Sequence, residues 1–119
     1  LIASTAHVSK HALIGEGSVI MHHALVNADA RIGKGCIINT FSNIEHDAVI
    51  GNYCHISTGA MVNGNCMVGD GTFLGSQAVM VNGVSIVGGC VIAAGSMVRK
   101  NIVRKGIYSD NPAVLKIKL

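Results

Sequence analysis

The sequence predicts an all-β chain folded as one parallel β-helix of about five to six triangular coils. Aliphatic residues or Met recur at every sixth position from Ile2 to Val98 without a slip. A second register, four residues after each of them and running to Ile102, is small almost throughout. Every eighteen residues a glycine follows the aliphatic residue, at Gly15, Gly33, Gly51 and Gly69. Three six-residue units are therefore expected to make one coil with a triangular cross-section.

Each six-residue unit is interpreted as a short strand followed by a corner. Successive side chains of a strand point to opposite faces, so the small residue and the aliphatic residue point inward and the residue between them points outward. The other three residues turn the corner, where Gly, Asn and Asp accept the required backbone angles. Successive coils are expected to stack as parallel strands about 4.8 Å apart, each burying its face on its neighbours.

All four cysteines fall in the small inward register. They are Cys36, Cys54, Cys66 and Cys90. Free cysteine behaves as a small buried hydrophobe, so we predict four core thiols rather than disulfides or a metal site. Reduced thiols are typical of the cytoplasm, which is the predicted compartment.

Composition and charge exclude several classes of function. No run of about 18 apolar residues exists, so no membrane span is expected. Only 3% of the residues are aromatic and none is Trp, which disfavours nucleic-acid binding because bases stack on aromatic side chains.

The net charge of +3 is placed unevenly along the chain. Six of the nine basic residues lie beyond Val98: Arg99, Lys100, Arg104, Lys105, Lys116 and Lys118. We expect a β-helix over residues 1–103 and a tail over 104–119 that packs on the end of the helix. The basic tail is interpreted either as a solvated end or as a contact for an anionic ligand.

The outward positions predict an oligomer. One side of the prism carries Val19, Ile37, His55, Phe73 and Val91; the next carries Leu25, Asn43, Met61, Val79 and Met97; the third carries Leu13, Arg31, Val49, Met67 and Ser85. Two of these sides are too apolar for a monomer, since large exposed patches usually mark an interface. A closed assembly would bury them, and we predict a homotrimer with His55 in or beside the interface.

The segment Glu45-His46-Asp47 is the main candidate for chemistry. Three titratable groups in a row are unusual in a chain with six carboxylates. Asp47 is expected to favour the imidazolium form of His46 and so raise the basicity of the ring, as a general base near neutral pH requires. His46 and His55 lie on opposite parts of the triangle, so they can meet only across a subunit boundary. Gly64, one coil beyond His46, is expected to let a ligand approach the backbone closely.

The segments Ile38-Asn39-Thr40, Ile44-Glu45-His46-Asp47 and Ile50-Gly51-Asn52-Tyr53-Cys54-His55-Ile56-Ser57 carry a family resemblance. Together they resemble sugar O- and N-acetyltransferases of the sialic acid acetyltransferase and bacillosamine acetyltransferase group. The opening Thr5-Ala6-His7-Val8-Ser9 and the terminal Asn111-Pro112-Ala113 are similar to the start and end of the same domain. The connection rule for parallel strands predicts a right-handed helix; the resemblance implies a left-handed one instead.

The resemblance also implies roles for individual residues. His46 would be the general base and Asp47 its partner, with Asn39 and Glu45 near the sugar acceptor. Acetyl-CoA would be the co-substrate, held between two subunits by His55, Gly64, Ser76 and Ala94, and no metal would be needed. An amino sugar on a nucleotide carrier, or the hydroxyl of a sialic-acid-type sugar, would be the acceptor.

Larger members of the group also have an N-terminal domain that binds nucleotide sugars. The 119 residues of this chain correspond to the β-helix alone, so such a domain is expected as a missing part or on another chain. Family members usually have Gly before Asn-Pro-Ala and Lys or Arg after it, whereas Asp110 and Val114 flank the motif here.

Three alternative functions compete with this prediction. One is a non-catalytic β-helix scaffold, which would explain the repeat and the apolar sides but not Glu45-His46-Asp47. A second is a related acetyltransferase whose acceptor is not a sugar, such as serine. The third, a zinc carbonic anhydrase of the same fold, needs three histidines around the metal, and no third His falls in columns near His46 and His55.

Overall fold

The computed structural model describes residues 1–110, 113 and 115–118, and this part of the chain contains no helix. It contains seventeen strands of two residues each. They are β1 (His7–Val8), β2 (Leu13–Ile14), β3 (Val19–Ile20), β4 (Leu25–Val26), β5 (Arg31–Ile32), β6 (Ile37–Ile38), β7 (Asn43–Ile44), β8 (Val49–Ile50), β9 (His55–Ile56), β10 (Met61–Val62), β11 (Met67–Val68), β12 (Phe73–Leu74), β13 (Val79–Met80), β14 (Ser85–Ile86), β15 (Val91–Ile92), β16 (Met97–Val98) and β17 (Ile107–Tyr108).

Every third strand pairs in parallel, and the result is a three-sided β-solenoid of about six turns. The sheets follow the orders β1-β4-β7-β10-β13-β16, β14-β11-β8-β5-β2 and β17-β15-β12-β9-β6-β3. Residues eighteen apart are partners, as in His55 with Phe73 and Met61 with Val79. The predicted all-β solenoid with three units to the coil is confirmed.

The corners need left-handed backbone. From Gly17 to Gly95, the last residue of each corner has a φ between 55° and 80°. Seven of these positions are glycines, and the other seven are His23, Asp29, Phe41, Asp47, Tyr53, Asn65 and Gln77. Asn and Asp adopt this conformation more readily than other non-glycine residues, so Phe41 and Tyr53 are the least expected residues there.

Both inward registers form the core. From Ser18 to Val98 every residue in either register is buried, including all four free cysteines. Burial raises the pKa of the Cys66 thiol; a hydrogen bond with the Cys36 thiol, together with burial, raises that of Cys54. In the first coil the same registers are only half-buried, as at Ala6 and Val8, because no coil precedes them in the structure.

The last coil is two residues shorter than the others. Ile102 pairs with Ile86 and Ile107 with Val91, a spacing of sixteen. The prediction that Ile102 belongs to the small register was therefore wrong, since it lies beside an aliphatic position. The Asn101 side chain accepts a hydrogen bond from the backbone N–H of Ser85 at 2.9 Å, which helps to hold the shortened corner.

The described part of the chain offers no helix that could cross a membrane. Asn111 and Pro112, the first two residues of the Asn-Pro-Ala motif, lie outside the described residues.

Candidate active site

The corner between β7 and β8 presents Glu45, His46 and Asp47. Glu45 is half-buried, and its Oε2 accepts a hydrogen bond from Nδ2 of Asn27, one coil earlier, at 2.9 Å. Asn27 is itself held, because its Oδ1 accepts the backbone N–H of Ala28 at 2.8 Å. The Glu45 carboxylate is thus fixed by the coil beneath it, next to the exposed His46.

The His46 imidazole pairs with the carboxylate of its neighbour. Nδ1 lies 3.1 Å from Oδ2 of Asp47, and the two side chains are 54% and 53% exposed. An exposed pair of this kind contributes little to stability. It does orient the ring: an ionised carboxylate only accepts hydrogen bonds, so Nδ1 carries a hydrogen. In the neutral ring Nε2 then keeps its lone pair and can take a proton.

Gly64, one coil further toward the C-terminal end, lies against the Nε2 edge of the same ring. A Cβ at Gly64 would come 2.6 Å from both Cε1 and Nε2 of His46, and 2.9 Å from Oδ1 of Asn82. These distances are shorter than any real Cβ contact. A side chain at this position would therefore displace the His46 ring, and glycine lets the ring keep its position without any need for left-handed backbone.

A second polar group lies on the outer face of the sheet that contains β9. Nδ2 of Asn39 is 3.1 Å from Nε2 of His55, and Oδ1 of Asn39 accepts the backbone N–H of Thr40 at 2.7 Å. Because Oδ1 is engaged, the amide NH₂ donates to His55, whose Nε2 must then be unprotonated. Phe73 meets the same ring edge-on, with centroids 5.1 Å apart.

The structure thus brings the predicted site residues into two groups. One group lies on a single corner and consists of Glu45, His46, Asp47 and Gly64. Asn39 and His55 meet at the sheet opposite that corner. Asn39 and Glu45, both predicted near the acceptor, do not meet within the chain.

Ser76 and Ala94 lie on the same corner as Asn39, in the column of Thr40. Ser76 Oγ is 3.0 Å from Oγ of the buried Ser57, and Ala94 is exposed one coil further on. The backbone is close there: a Cβ at Gly75 would come 2.6 Å from the backbone N of Ala94. This column therefore presents backbone and small side chains rather than bulky ones.

A groove at the C-terminal end of the solenoid is lined by two of the basic residues that lie beyond Val98. It has a volume of about 400 Å³, and Arg99, Lys100, Tyr108 and Asp110 are among its lining residues. Lys105 lies against Gly89 on a different corner, its Cε 2.8 Å from where a Cβ would be. These three basic residues, Arg99, Lys100 and Lys105, are therefore spread over two corners rather than gathered in one patch.

Asn27 and the stacked pair His23 and Phe41 were missed by the sequence reasoning. Asn27 precedes Glu45 by eighteen residues, so the coil period alone could have paired them. His23 and Phe41 are also eighteen apart, but nothing in the repeat says that their rings stack, with centroids 4.9 Å apart.

Among the described residues no group of three or more His, Cys, Asp or Glu side chains is placed to hold a metal ion.

Comparison with protein families gives one match. The bacterial transferase hexapeptide family (six repeats) matches residues 11–46, 29–64 and 47–82 in overlapping registers. No curated protein matches the chain.

Several solved structures are similar to this chain. The acetyltransferase domain of PglB from Neisseria gonorrhoeae FA1090 is 33% identical with a TM-score of 0.92, over 96% of this chain and 56% of that one. The same domain is known in complex with acetyl coenzyme A. PerB from Caulobacter crescentus, in complex with CoA and GDP-perosamine, is 33% identical with a TM-score of 0.91, over 97% of this chain and 56% of that one.

A variant of the Caulobacter crescentus GDP-perosamine N-acetyltransferase, with one histidine replaced by alanine, is 31% identical with a TM-score of 0.88. The match covers 98% of this chain and 56% of that one. The chain thus spans a little over half the length of these structures.

Proposed function

Because the chain belongs to the bacterial transferase hexapeptide family, we propose that it is the β-helix part of an acetyl-CoA-dependent sugar acetyltransferase. The observation that carries the proposal is the His46 ring, oriented by Asp47 and seated on Gly64. The similar PglB domain and PerB, whose structures hold acetyl coenzyme A or CoA, support the choice of coenzyme.

In the proposed reaction, Nε2 of His46 takes the proton of the acceptor as its amine nitrogen or hydroxyl oxygen attacks the thioester carbonyl of acetyl-CoA. The carbon–sulfur bond then breaks, and the leaving thiolate recovers the proton from the imidazolium. No covalent enzyme intermediate forms. General base catalysis contributes about 10²- to 10⁴-fold, and orientation of the two substrates contributes further.

The proposal includes a left-handed helix and a homotrimer. His46 and His55 lie on opposite parts of one chain, so a site that uses both needs a corner of one subunit against the apolar sheet of the next. Acetyl-CoA would lie in the groove between them, in contact with His55, Gly64, Ser76 and Ala94. The tail over 104–119 would close the end of the helix, with its basic residues near the phosphates of the coenzyme.

The proposed acceptor is an amino sugar on a nucleotide carrier, near Asn39 and Glu45. The neighbour PerB is complexed with GDP-perosamine, and a second structure of similar fold is described as a GDP-perosamine N-acetyltransferase. Because this chain covers 56% of each, a further domain that binds the nucleotide is part of the proposal. Four free thiols fit the reducing cytoplasm.

The test is replacement of His46. In His46→Ala, acetyl transfer to an amino-sugar nucleotide should fall at least 100-fold, while calorimetric binding of acetyl-CoA, light-scattering mass and thermal midpoint stay close to those of the unmodified chain. His11→Ala, an exposed histidine on the same corner of the first coil, is the matched control. Unchanged turnover in His46→Ala would remove this residue from the mechanism, and an intact trimer that binds no acetyl-CoA would favour a scaffold.

A further inference from the structure

The side chain of Asn82 reaches toward His46 from the opposite side of Gly64. These three residues follow one another at intervals of eighteen and form one column of the corner. A Cβ placed on Gly64 would lie 2.9 Å from Oδ1 of Asn82 and 2.6 Å from Nε2 of His46. Gly64 is buried although it is a corner residue, because both of its neighbours in the column lean over it.

The amide of Asn82 has no structural task. Corner asparagines such as Asn27 and Asn39 accept the backbone N–H of the next residue on Oδ1. In the part of the chain that the structure describes, the Asn82 side chain makes no hydrogen bond, either to the backbone or to His46. The residue is exposed, and its φ is not left-handed, so the corner does not need an asparagine here. Its amide is therefore available to a ligand.

The distance from Gly64 to Asn82 suits the arm of coenzyme A. Two methylene groups separate the sulfur of the coenzyme from the first amide nitrogen of its arm. They span about one coil, since successive coils are about 4.8 Å apart. In the proposed reaction the thioester lies beside His46 and Gly64. An arm that runs along the column from there brings its first amide to the coil that carries Asn82.

The charge further along the column agrees with this direction. Lys100 follows Asn82 by eighteen residues and lines the groove at the C-terminal end of the solenoid. The phosphates of the coenzyme lie at the far end of its arm, and a cation attracts them there. A path from His46 past Asn82 toward Lys100 therefore meets, in order, a base, an amide and a positive charge.

We propose that Oδ1 of Asn82 accepts a hydrogen bond from the amide N–H of the coenzyme arm that is nearest the sulfur. This contact holds the thioester beside Nε2 of His46. The inference rests on the proposed function, because it takes acetyl-CoA as the co-substrate. An amide oxygen is an acceptor with two lone pairs, and Oδ1 is the atom of Asn82 that lies against Gly64.

Calorimetric titration with two probes tests the contact. CoA contains the arm, whereas adenosine 3′,5′-bisphosphate lacks it. Asn82→Leu keeps the approximate size of the side chain and removes its polar atoms, so affinity for CoA should fall about threefold to tenfold. Affinity for the bisphosphate should not change. Asn43→Leu, the same replacement on the outer face of β7, is the matched control and should leave both affinities unchanged. Unchanged CoA affinity in Asn82→Leu, or an equal loss for both probes, overturns the inference.

Asn82→Asp identifies the atom that makes the contact. An ionised carboxylate keeps an acceptor in the place of Oδ1 and has no N–H donor, so this variant should bind CoA more tightly than Asn82→Leu does. Equal weakening in the two variants overturns the assignment to Oδ1.

Steady-state kinetics separate this contact from one with the acceptor. In Asn82→Leu the KM for acetyl-CoA should rise and kcat should fall, because the thioester is positioned less precisely. Reduced turnover with unchanged CoA affinity would place Asn82 on the acceptor and overturn the inference. An unmodified chain that binds no CoA overturns the proposed function and the inference together, whereas one that binds CoA as tightly as Asn82→Leu does overturns the inference alone.

Discussion

The His46 ring is held between a carboxylate and a glycine, and each contact has a separate role. Asp47 accepts from Nδ1 at 3.1 Å and so leaves the Nε2 edge free for the proposed proton transfer. Gly64 provides the space that the Nε2 edge occupies. His46 is 54% exposed. It is therefore a candidate base because of its contacts with Asp47 and Gly64 and not because of burial.

The contact with Gly64 makes a prediction. In Gly64→Ala the new Cβ would lie 2.6 Å from Nε2 and Cε1 of His46, so the ring must move. A displacement of about 1 Å can reduce a rate by about 100-fold, so kcat should fall while the thermal midpoint changes little. Gly106→Ala is the control, since its Cβ would meet nothing nearer than Tyr108 at 3.6 Å. Full activity in Gly64→Ala would contradict the role given to the ring position.

At the scale of the element, a two-residue strand is stable only because of the coils on either side. Each strand places one side chain outward and one inward, and the inward residue packs against the residues eighteen before and after it. Leu74 of β12, for example, is 0% exposed between Ile56 and Ile92. The stability of such an array is the sum of the contributions of each repeat and of the contacts between neighbouring repeats. A defect in one coil therefore also weakens the contacts of that coil with the coils on either side.

Leu74→Ala tests this packing. Truncation of a fully buried leucine costs about 2–5 kcal/mol, and the midpoint of urea unfolding should fall accordingly. Met67→Ala, 54% exposed on the outer face of β11, should change the free energy of unfolding by about 0.5 kcal/mol or less. A similar small effect at both positions would mean that the interior relaxes to fill the cavity.

At the scale of the whole molecule, the outer faces of the three sheets differ. The face with β12 exposes Ile37, Phe73, Val91 and Ile107, between 37% and 81%. The face with β11 is broken by Arg31 and Ser85. In the proposed trimer the first face is buried, and the His46 corner of a neighbour lies against it.

Phe73→Asp tests which face is buried. A carboxylate placed in the apolar contact would be desolvated without a partner, so light scattering should show monomers at concentrations where the unmodified chain is a trimer. Met67→Asp, on the broken face, should leave the mass unchanged. If Phe73→Asp remains trimeric while Met67→Asp dissociates, the interface lies on the other side of the prism.

The sequence by itself determined the solenoid, because a period of six with two inward registers admits few other structures. Ile20, Cys36 and Leu74 could be assigned to the core from spacing alone, and each is buried. The same arithmetic predicted that His46 and His55 lie on opposite parts of the coil. The period of six failed at Ile102, because an aliphatic residue fits either register and so does not reveal that the corner before it is two residues shorter.

Only the tertiary structure decided which side chains meet across coils. The hydrogen bond from Asn27 to Glu45, the seat of His46 on Gly64 and the stack of Phe41 on His23 all join residues eighteen apart. The repeat places such pairs in one column, but rotamers and corner φ angles decide whether the side chains touch. Core positions are fixed by the hydrophobic pattern, which is read along the chain, whereas site geometry depends on directional contacts that form only when the coils stack.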